Sequence, residues 1–424
     1  MTSAASENVQ ITTLPNGLRI VTESVPYVRS ASVGLFVGIG SRDEEDASAG
    51  ISHFIEHMLF KGTTKRTAHQ IADTIEQRGG HLNAWTDKEM TTYQTRVLAE
   101  DTVLALDILS DMLLGSLFDP EEMTREKGVV IEEIKMYEDS PEDLVHELFE
   151  KLLWGKHPVG RPIIGTEQTV TAITRDDITA FIANRYTPDR IVISAAGNVD
   201  HAEIVAFAAE RMGGLAGQTP TAKVKPPKAS GKSKSARKRD TEQVNFCLGS
   251  HGYSKLSLER YPLSILNNVL GGNMSSRLFQ EIREKRGLAY NIGAFSRSYR
   301  DSGTFCIYGG TSPATYNQVL DLTRAQTESV KKNGITEDEL TKAKTQVRGA
   351  LVLGLEGMSS RMNRYGESLL SLGRIVPVEE VLVRYEAVTN EAIIGVAEHI
   401  FADGLQTEAT IGPYPKKERA AEVV

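Results

Sequence analysis

The chain repeats itself, and that fact restricts its fold more than any other. Residues 32–41 (SVGLFVGIGS) and 243–252 (QVNFCLGSHG) each read as a buried strand running into a glycine-containing turn. Residues 121–127 (EEMTREK) and 338–344 (DELTKAK) each open a long helix, and Arg78-Gly79-Gly80 before a strand is echoed by Arg286-Gly287. A period of about 210 residues is too long for a solenoid and marks a duplicated domain. With 424 residues, two copies fit the usual domain size of about 100–200 residues.

Between the copies, residues 213–240 (GGLAGQTPTAKVKPPKASGKSKSARKRD) combine prolines, small residues and many Lys and Arg with almost no large apolar side chains. Such a segment buries too little surface to offset its ordering entropy and is expected to be a solvated basic linker. No aromatic residue is interleaved for base stacking, so a nucleic-acid role is not expected. Gly231-Lys232-Ser233 resembles the end of a phosphate loop, but Pro226 occupies the upstream glycine position and the motif fails. The expected organisation is an N-terminal domain (1–212), a linker (213–240) and a homologous C-terminal domain (241–424).

Within the first copy, residues 33–37, 90–97 and 190–196 read as strands. Residues 50–60, 68–78, 104–114, 120–137 and 141–153 read as amphipathic helices. Without a regular strand–helix alternation, the pattern favours an α+β fold, with helices laid on a largely antiparallel sheet.

The sharpest local signal is His53-Phe54-Ile55-Glu56-His57. On a helix, His53 and His57 stand one above the other and can reach a single metal ion. Glu56 is near enough to meet a water at that ion, yet angled away from ligating it. With 9 His and 56 acidic residues, chance supplies at most about 0.025 such pentads per chain. Only two cysteines are present, so neither a disulfide framework nor a cysteine-rich zinc site is expected. A metal here is to be held by His and carboxylate.

A catalytic zinc site needs a third protein ligand and an open position. The helix around residues 121–138 offers Glu126, Glu132, Glu133 and Glu138. Glu126 and Glu133, two turns apart on one face, suit a pair in which one ligates and the other orients a histidine. The run Val129-Val130-Ile131 suggests that this helix is largely buried. A buried carboxylate needs a cation or hydrogen-bond donors beside it.

The second copy serves as a control. Ser264, Asn267 and Asn268 align with His53, Glu56 and His57, while Ala343 and Ala350 align with Glu126 and Glu133. All the candidate site residues are absent together, so one copy is expected to do chemistry and the other to support it.

Taken with LPNGLRIV, GISHFIEHMLFKGT, GGHLNAWTDKEMTTYQTRV, REKGVVIEEIKMYEDSPED and LGGNMSSRLFQEIREKRGLAYNIGAFS, these features resemble the pitrilysin and mitochondrial-processing-peptidase family. These are zinc proteases with an inverted motif, and the match is to their short two-domain bacterial form. The resemblance covers nearly the whole chain apart from the linker and the extreme termini. It implies one Zn²⁺ per chain held by His53, His57 and Glu133, with Glu126 orienting a ligand histidine. Glu56 would take a proton from the attacking water and pass it to the leaving amine.

The resemblance further implies that Asn83, Ala84 and Trp85 lie on an edge strand that pairs with an extended peptide. Phe60 would line the pocket beyond the scissile bond. Arg283 and Tyr290 would hold substrate and steady the oxyanion, reaching the site from the second domain of a partner chain. Asp143 and Glu147 fall where processing peptidases recognise an arginine before the cleavage site. The long glycine-rich loop of α-type processing subunits is missing; only Gly271-Gly272 stands in that region. General peptide cleavage is therefore expected rather than strict presequence processing.

The implied assembly is a homodimeric clamshell around a chamber that admits short or unfolded peptides. The alternatives are a silent scaffold subunit of a larger complex and the active half of a heterodimer. A formal charge of −8 argues against a general nucleic-acid binder. No stretch approaches the roughly 20 apolar residues of a membrane span. Residues 1–16 contain neither Lys nor Arg and no apolar signal core. The expected address is the cytoplasm.

Overall fold

The computed structural model describes residues 8–217, 226–227, 233–402 and 407–413. It contains two sheets built from the two copies of the repeat. The first holds β1 (Val9–Thr13), β2 (Arg19–Ser24), β3 (Ser30–Val37), β4 (His81–Thr86), β5 (Thr91–Leu98) and β6 (Ile191–Gly197). The second holds β7 (Ser233–Lys238), β8 (Val244–Gly252), β9 (Ala289–Ser298), β10 (Gly303–Thr311) and β11 (Thr407–Gly412).

The strand orders are β1-β2-β6-β3-β5-β4 and β7-β11-β8-β10-β9. Set β1 aside and the two sheets superpose strand for strand. In each, one outer pair is parallel, β2 with β6 and β7 with β11, and every other pairing is antiparallel. The duplication inferred from the sequence is thus a duplication of topology, and the α+β class holds.

Alternation along the strands explains how both faces of each sheet are covered. In the first sheet, Val33, Leu35, Val37, Ile191 and Ile193 face one apolar cluster with the helices Ile51–Leu59 and Thr102–Gly115. Phe36, Val192 and Ala196 face another, closed by Met362 and Leu369 of the helix Met358–Leu372. That helix lies close on the sheet. Ser194 Oγ donates to the Met362 carbonyl at 2.7 Å, and a Cβ on Gly366 would stand only 2.5 Å from the Phe36 ring. Burying Met362 and Leu369 contributes about 1.5–3 kcal/mol each before rotamer entropy is subtracted.

This helix comes from the second copy in sequence. In exchange, the helix Pro141–Trp154 of the first copy packs on β8 and β11. The compact units therefore cut across the expected 1–212 and 241–424 halves. Among the described residues, one unit draws on 8–134, 161–217 and 352–377, and the other on 135–160, 226–351 and 378–413. The expected boundary followed composition, which marks the basic segment but carries no trace of the exchange.

Two further expectations need correction. Part of the proposed linker, Ser233–Lys238, is an edge strand paired in parallel with β11. Edge pairing runs through the backbone and needs little apolar surface, and Lys234 adds an ion pair to Glu408 at 2.8 Å. Residues 218–225 and 228–232 of that segment lie outside the described residues. The helix Pro120–Asp139 is not largely buried either: Val129 is 51% exposed. Its buried stripe is Met123, Glu126, Val130 and Ile134, at the 3–4 residue spacing of one helix face. A carboxylate thus occupies an otherwise apolar stripe.

Candidate metal centre

The helix Ile51–Leu59 buries Ile51, Phe54, Ile55, Met58 and Leu59. That stripe leaves His53, Glu56 and His57 on the remaining face. Its first residues carry no side-chain cap, because the N-cap is Gly50, which has no side chain and adopts φ 93°. Only glycine suits this place: a Cβ would stand 2.6 Å from the Ile164 carbonyl oxygen. Glu44 supplies the missing acceptor, taking the N–H groups of Gly50 at 2.7 Å and Ser52 at 2.8 Å. Burial pushes the Glu44 carboxyl up to about 7, against the pull of those two donors.

His53, His57 and Glu133 converge, with one ligand atom from each lying within 4.8 Å of the others. Glu133 Oε2 is 3.9 Å from His53 Nε2 and 3.8 Å from His57 Nε2. Those separations are too long for hydrogen bonds. Tetrahedral ligands about 2.1 Å from one zinc ion sit about 3.4 Å apart, so each Glu133–histidine separation is about half an ångström from that spacing. The donor set of two imidazoles and one carboxylate is that of a catalytic zinc centre. Burial first, and then the neighbouring His57, pull His53 down to about 4, which keeps its ring in the neutral, ligating form. The residues present fit the metal.

Glu126 meets His57 Nδ1 at 2.8 Å, which leaves Nε2 for the ion. Lys61, one turn past His57, holds the other Glu126 oxygen at 2.6 Å. Burial alone would raise the Glu126 carboxyl, but His57 and Lys61 outweigh it and keep it below the ordinary range. Burial likewise pulls His57 down, yet the Glu126 hydrogen bond and the charges of Glu126, Glu56 and Glu133 carry it above the usual imidazole value.

Glu56 accepts a hydrogen bond from Thr86 Oγ1 at 2.6 Å through Oε2. Burial nonetheless lifts its carboxyl above the ordinary value, toward the range useful for a general base. Thr86 ends β4, the outermost strand of its sheet, so among the described residues one edge of that strand has no neighbour in the sheet. Asn83 on β4 is exposed, Ala84 and Trp85 are half-buried, and Trp85 packs edge-on against Phe36. Phe60 caps the motif helix and packs against the core while half-buried.

The remaining candidates belong to the other unit. Arg283 lies in the short π-helical turn Phe279–Glu284, its guanidinium 4.8 Å from the Tyr290 ring and 4.7 Å from that of Phe279. Tyr290 is 77% exposed. Asp143 is exposed and Glu147 half-buried on Pro141–Trp154.

Sequence reasoning missed three supporting residues. Thr86 stands within the stretch GGHLNAWTDKEMTTYQTRV and Lys61 within GISHFIEHMLFKGT, but no spacing ties either to the site. Glu44 had a signal, since a helix opening on Gly-Ile without a capping side chain leaves its N–H groups to be satisfied from elsewhere.

Two family models match successive stretches of the chain. The model described as Insulinase (Peptidase family M16) matches residues 19–167, and that described as Peptidase M16 inactive domain matches residues 172–347. An uncharacterized zinc protease of Streptomyces coelicolor is 42% identical over 97% of this chain and 91% of its own length. The chain belongs to peptidase family M16. The uncharacterized zinc protease YmxG of Bacillus subtilis is also 42% identical, over 92% of this chain and 95% of its own. Among solved structures, a protease from Helicobacter pylori matches with a TM-score of 0.90 at 23% identity, covering 96% of this chain and 99% of its own. A Pseudomonas fluorescens structure described as a peptidase M16 inactive domain also gives 0.90, at 21% identity, covering 98% and 100%. At those identities the structural likeness speaks for the M16 fold. Among the described residues, no helix is long and apolar enough to cross a membrane.

Proposed function

We propose that this M16 chain is a zinc endopeptidase that hydrolyses short or unfolded peptides. One observation carries the reading: His53, His57 and Glu133 bring ligand atoms within 4.8 Å of one another, and Glu56, on the same helix as the two histidines, is held by Thr86. Zinc, when bound by those three residues, supplies Lewis-acid activation of the peptide carbonyl and of water.

The chain's own residues do the rest. Thr86 engages Oε2 of Glu56, so Oε1 is the oxygen that takes the proton of the attacking water and returns it to the leaving amine. Glu126 keeps the His57 ring in one tautomer and orientation. The open edge of β4 offers backbone groups to an extended peptide, and that strand ends at the residue holding Glu56. Asn83, Ala84 and Trp85 would make this pairing, and Phe60 would border the site beyond the scissile bond.

Arg283 and Tyr290 would stabilise the oxyanion from a second copy of the chain, in a homodimer. The exposure of Tyr290, with the half-buried Arg283 stacked on its ring, supports that role. Asp143 and Glu147 would favour a basic residue before the cleavage site. A silent scaffold has no use for a complete ligand set with a positioned base, which favours the peptidase over that alternative.

The test is digestion of a peptide library by the wild type and by Glu56→Gln. The variant is expected to retain one zinc ion in the trio and to lose turnover by at least about 10²–10⁴-fold. Undiminished cleavage by Glu56→Gln would remove the base from the mechanism.

A further inference from the structure

A second cluster of soft and nitrogen donors lies in the other unit, apart from the peptidase site. The sheet face under the helix Pro141–Trp154 carries both cysteines of the chain, Cys247 on β8 and Cys306 on β10. His146 of that helix reaches down to them, and one ligand atom from each of the three lies within 4.8 Å of the others. Cys247 Sγ is 3.4 Å from His146 Nδ1. A sulfur at about 2.3 Å and a nitrogen at about 2.05 Å from one tetrahedral or trigonal ion stand about 3.6–3.8 Å apart. The Cys247–His146 separation is already close to that spacing.

A disulfide is the poorer use of this pair. Cys247 lies opposite Tyr308 and Cys306 opposite Gly249, so the thiols are diagonal neighbours rather than directly opposed. Diagonal positions in an antiparallel pair are about 7–8 Å apart at Cα, beyond the usual span of a disulfide. A cation that adds a bond length on each side bridges that gap.

The repeat again provides a control. In the first sheet the matching places hold Phe36 and Met90, packed in an ordinary apolar cluster with Met362 and Leu369. The topology therefore does not call for donors here. Both thiols are fully buried among Val145, Phe149 and Ile411. The half-buried imidazole gives the cluster its way to solvent. Burial, then the nearby Arg297, hold His146 below its usual value, so at neutral pH it is in the ligating form.

We propose that His146, Cys247 and Cys306 form a second metal site, selective for a soft d¹⁰ cation, Zn²⁺ or Cu⁺. Thiolate donors favour such ions over Mg²⁺ or Ca²⁺. Binding breaks two S–H bonds, releases two protons and forms two metal–thiolate bonds and one metal–imidazole bond. With Zn²⁺ the cluster is neutral and a water completes four-coordination. With Cu⁺ three donors suffice, and Arg297 lies near the single negative charge that remains.

The experiment titrates the metal-free full chain under anaerobic conditions, with a competing chelator, in a Glu133→Gln background that disables the trio. Zn²⁺ and Cu⁺ are added in separate arms to this protein, to a version also carrying Cys247→Ala and Cys306→Val, and to one carrying His146→Gln. One equivalent is expected to bind with release of two protons. The Cu⁺ arm is expected to show thiolate-to-metal absorption in the ultraviolet, and the arm that binds more tightly identifies the ion. The double variant is expected to bind none, and His146→Gln at least tenfold more weakly. Circular dichroism checks the fold, and His146→Gln decides the matter should the double variant fail to fold. Failure of both ions to bind, or binding that survives loss of the donors, would overturn the site. Neither outcome touches the peptidase reading, because the trio is already disabled.

Discussion

The helices Ile51–Leu59 and Arg260–Gly271 occupy equivalent places in the two copies, and only the first carries a face of two histidines and a glutamate. Each follows the equivalent strand, β3 or β8, and each buries an apolar stripe. In the first the stripe includes Phe54, Ile55 and Met58; in the second it includes Leu263, Leu266 and Leu270. The opposite face carries His53, Glu56 and His57 in one case and Ser264, Asn267 and Asn268 in the other. In the second copy Ser264 meets the Tyr385 hydroxyl at 3.2 Å, an ordinary packing hydrogen bond. The fold therefore needs the stripe and not the polar face. The second copy keeps the topology without those side chains.

That comparison can be broken in order of expected effect. Replacing Glu133 with Gln is expected to abolish zinc binding at the trio, read as metal content after dialysis, whereas Ala350→Glu in the second copy is expected to gain none. A zinc ion recruited by Ala350→Glu alone would show that the copies differ less than their side chains imply.

Glu126→Gln removes the charge that orients His57 and is expected to weaken zinc about 10–100-fold. It should also lower the pKa of His57 in the metal-free protein, because the hydrogen bond and charge of Glu126 are what lift it against burial. Titration of the His57 ring resonance checks this. An unchanged His57 would place the cause elsewhere.

Thr86→Val gives the smallest change. The Thr86 hydroxyl stabilises the ionised form of Glu56 and so opposes the upward shift caused by burial. Without it the carboxyl rises further, and the acid limb of kcat/KM is expected to move to higher pH by up to about one unit. A limb that stays in place, or moves to lower pH, would contradict Glu56 as the titrating base.

The duplication, the class of fold and the convergence of His53, His57 and Glu133 were legible in the sequence, for physical reasons. Helical periodicity places His53 and His57 together, and burial patterns repeat wherever topology repeats. Exchange of Pro141–Trp154 and Met358–Leu372 was not legible, since an apolar stripe specifies that it is covered and not by which sheet. The Ser233–Lys238 strand was hidden because edge pairing is a backbone property. Thr86 and Lys61 act through contacts set by tertiary geometry, and no spacing rule reports those. Gly50 implies that some acceptor must stand in for a capping side chain, but only the folded chain brings Glu44 to it.

The most direct measurement is anomalous diffraction at the zinc edge from crystals of the zinc-loaded chain. The expected result is a peak about 2.0–2.2 Å from His53 Nε2, His57 Nε2 and a Glu133 oxygen, with no peak beside Ser264, Asn267 and Asn268. An active, zinc-loaded protein with no density among His53, His57 and Glu133 would contradict the account.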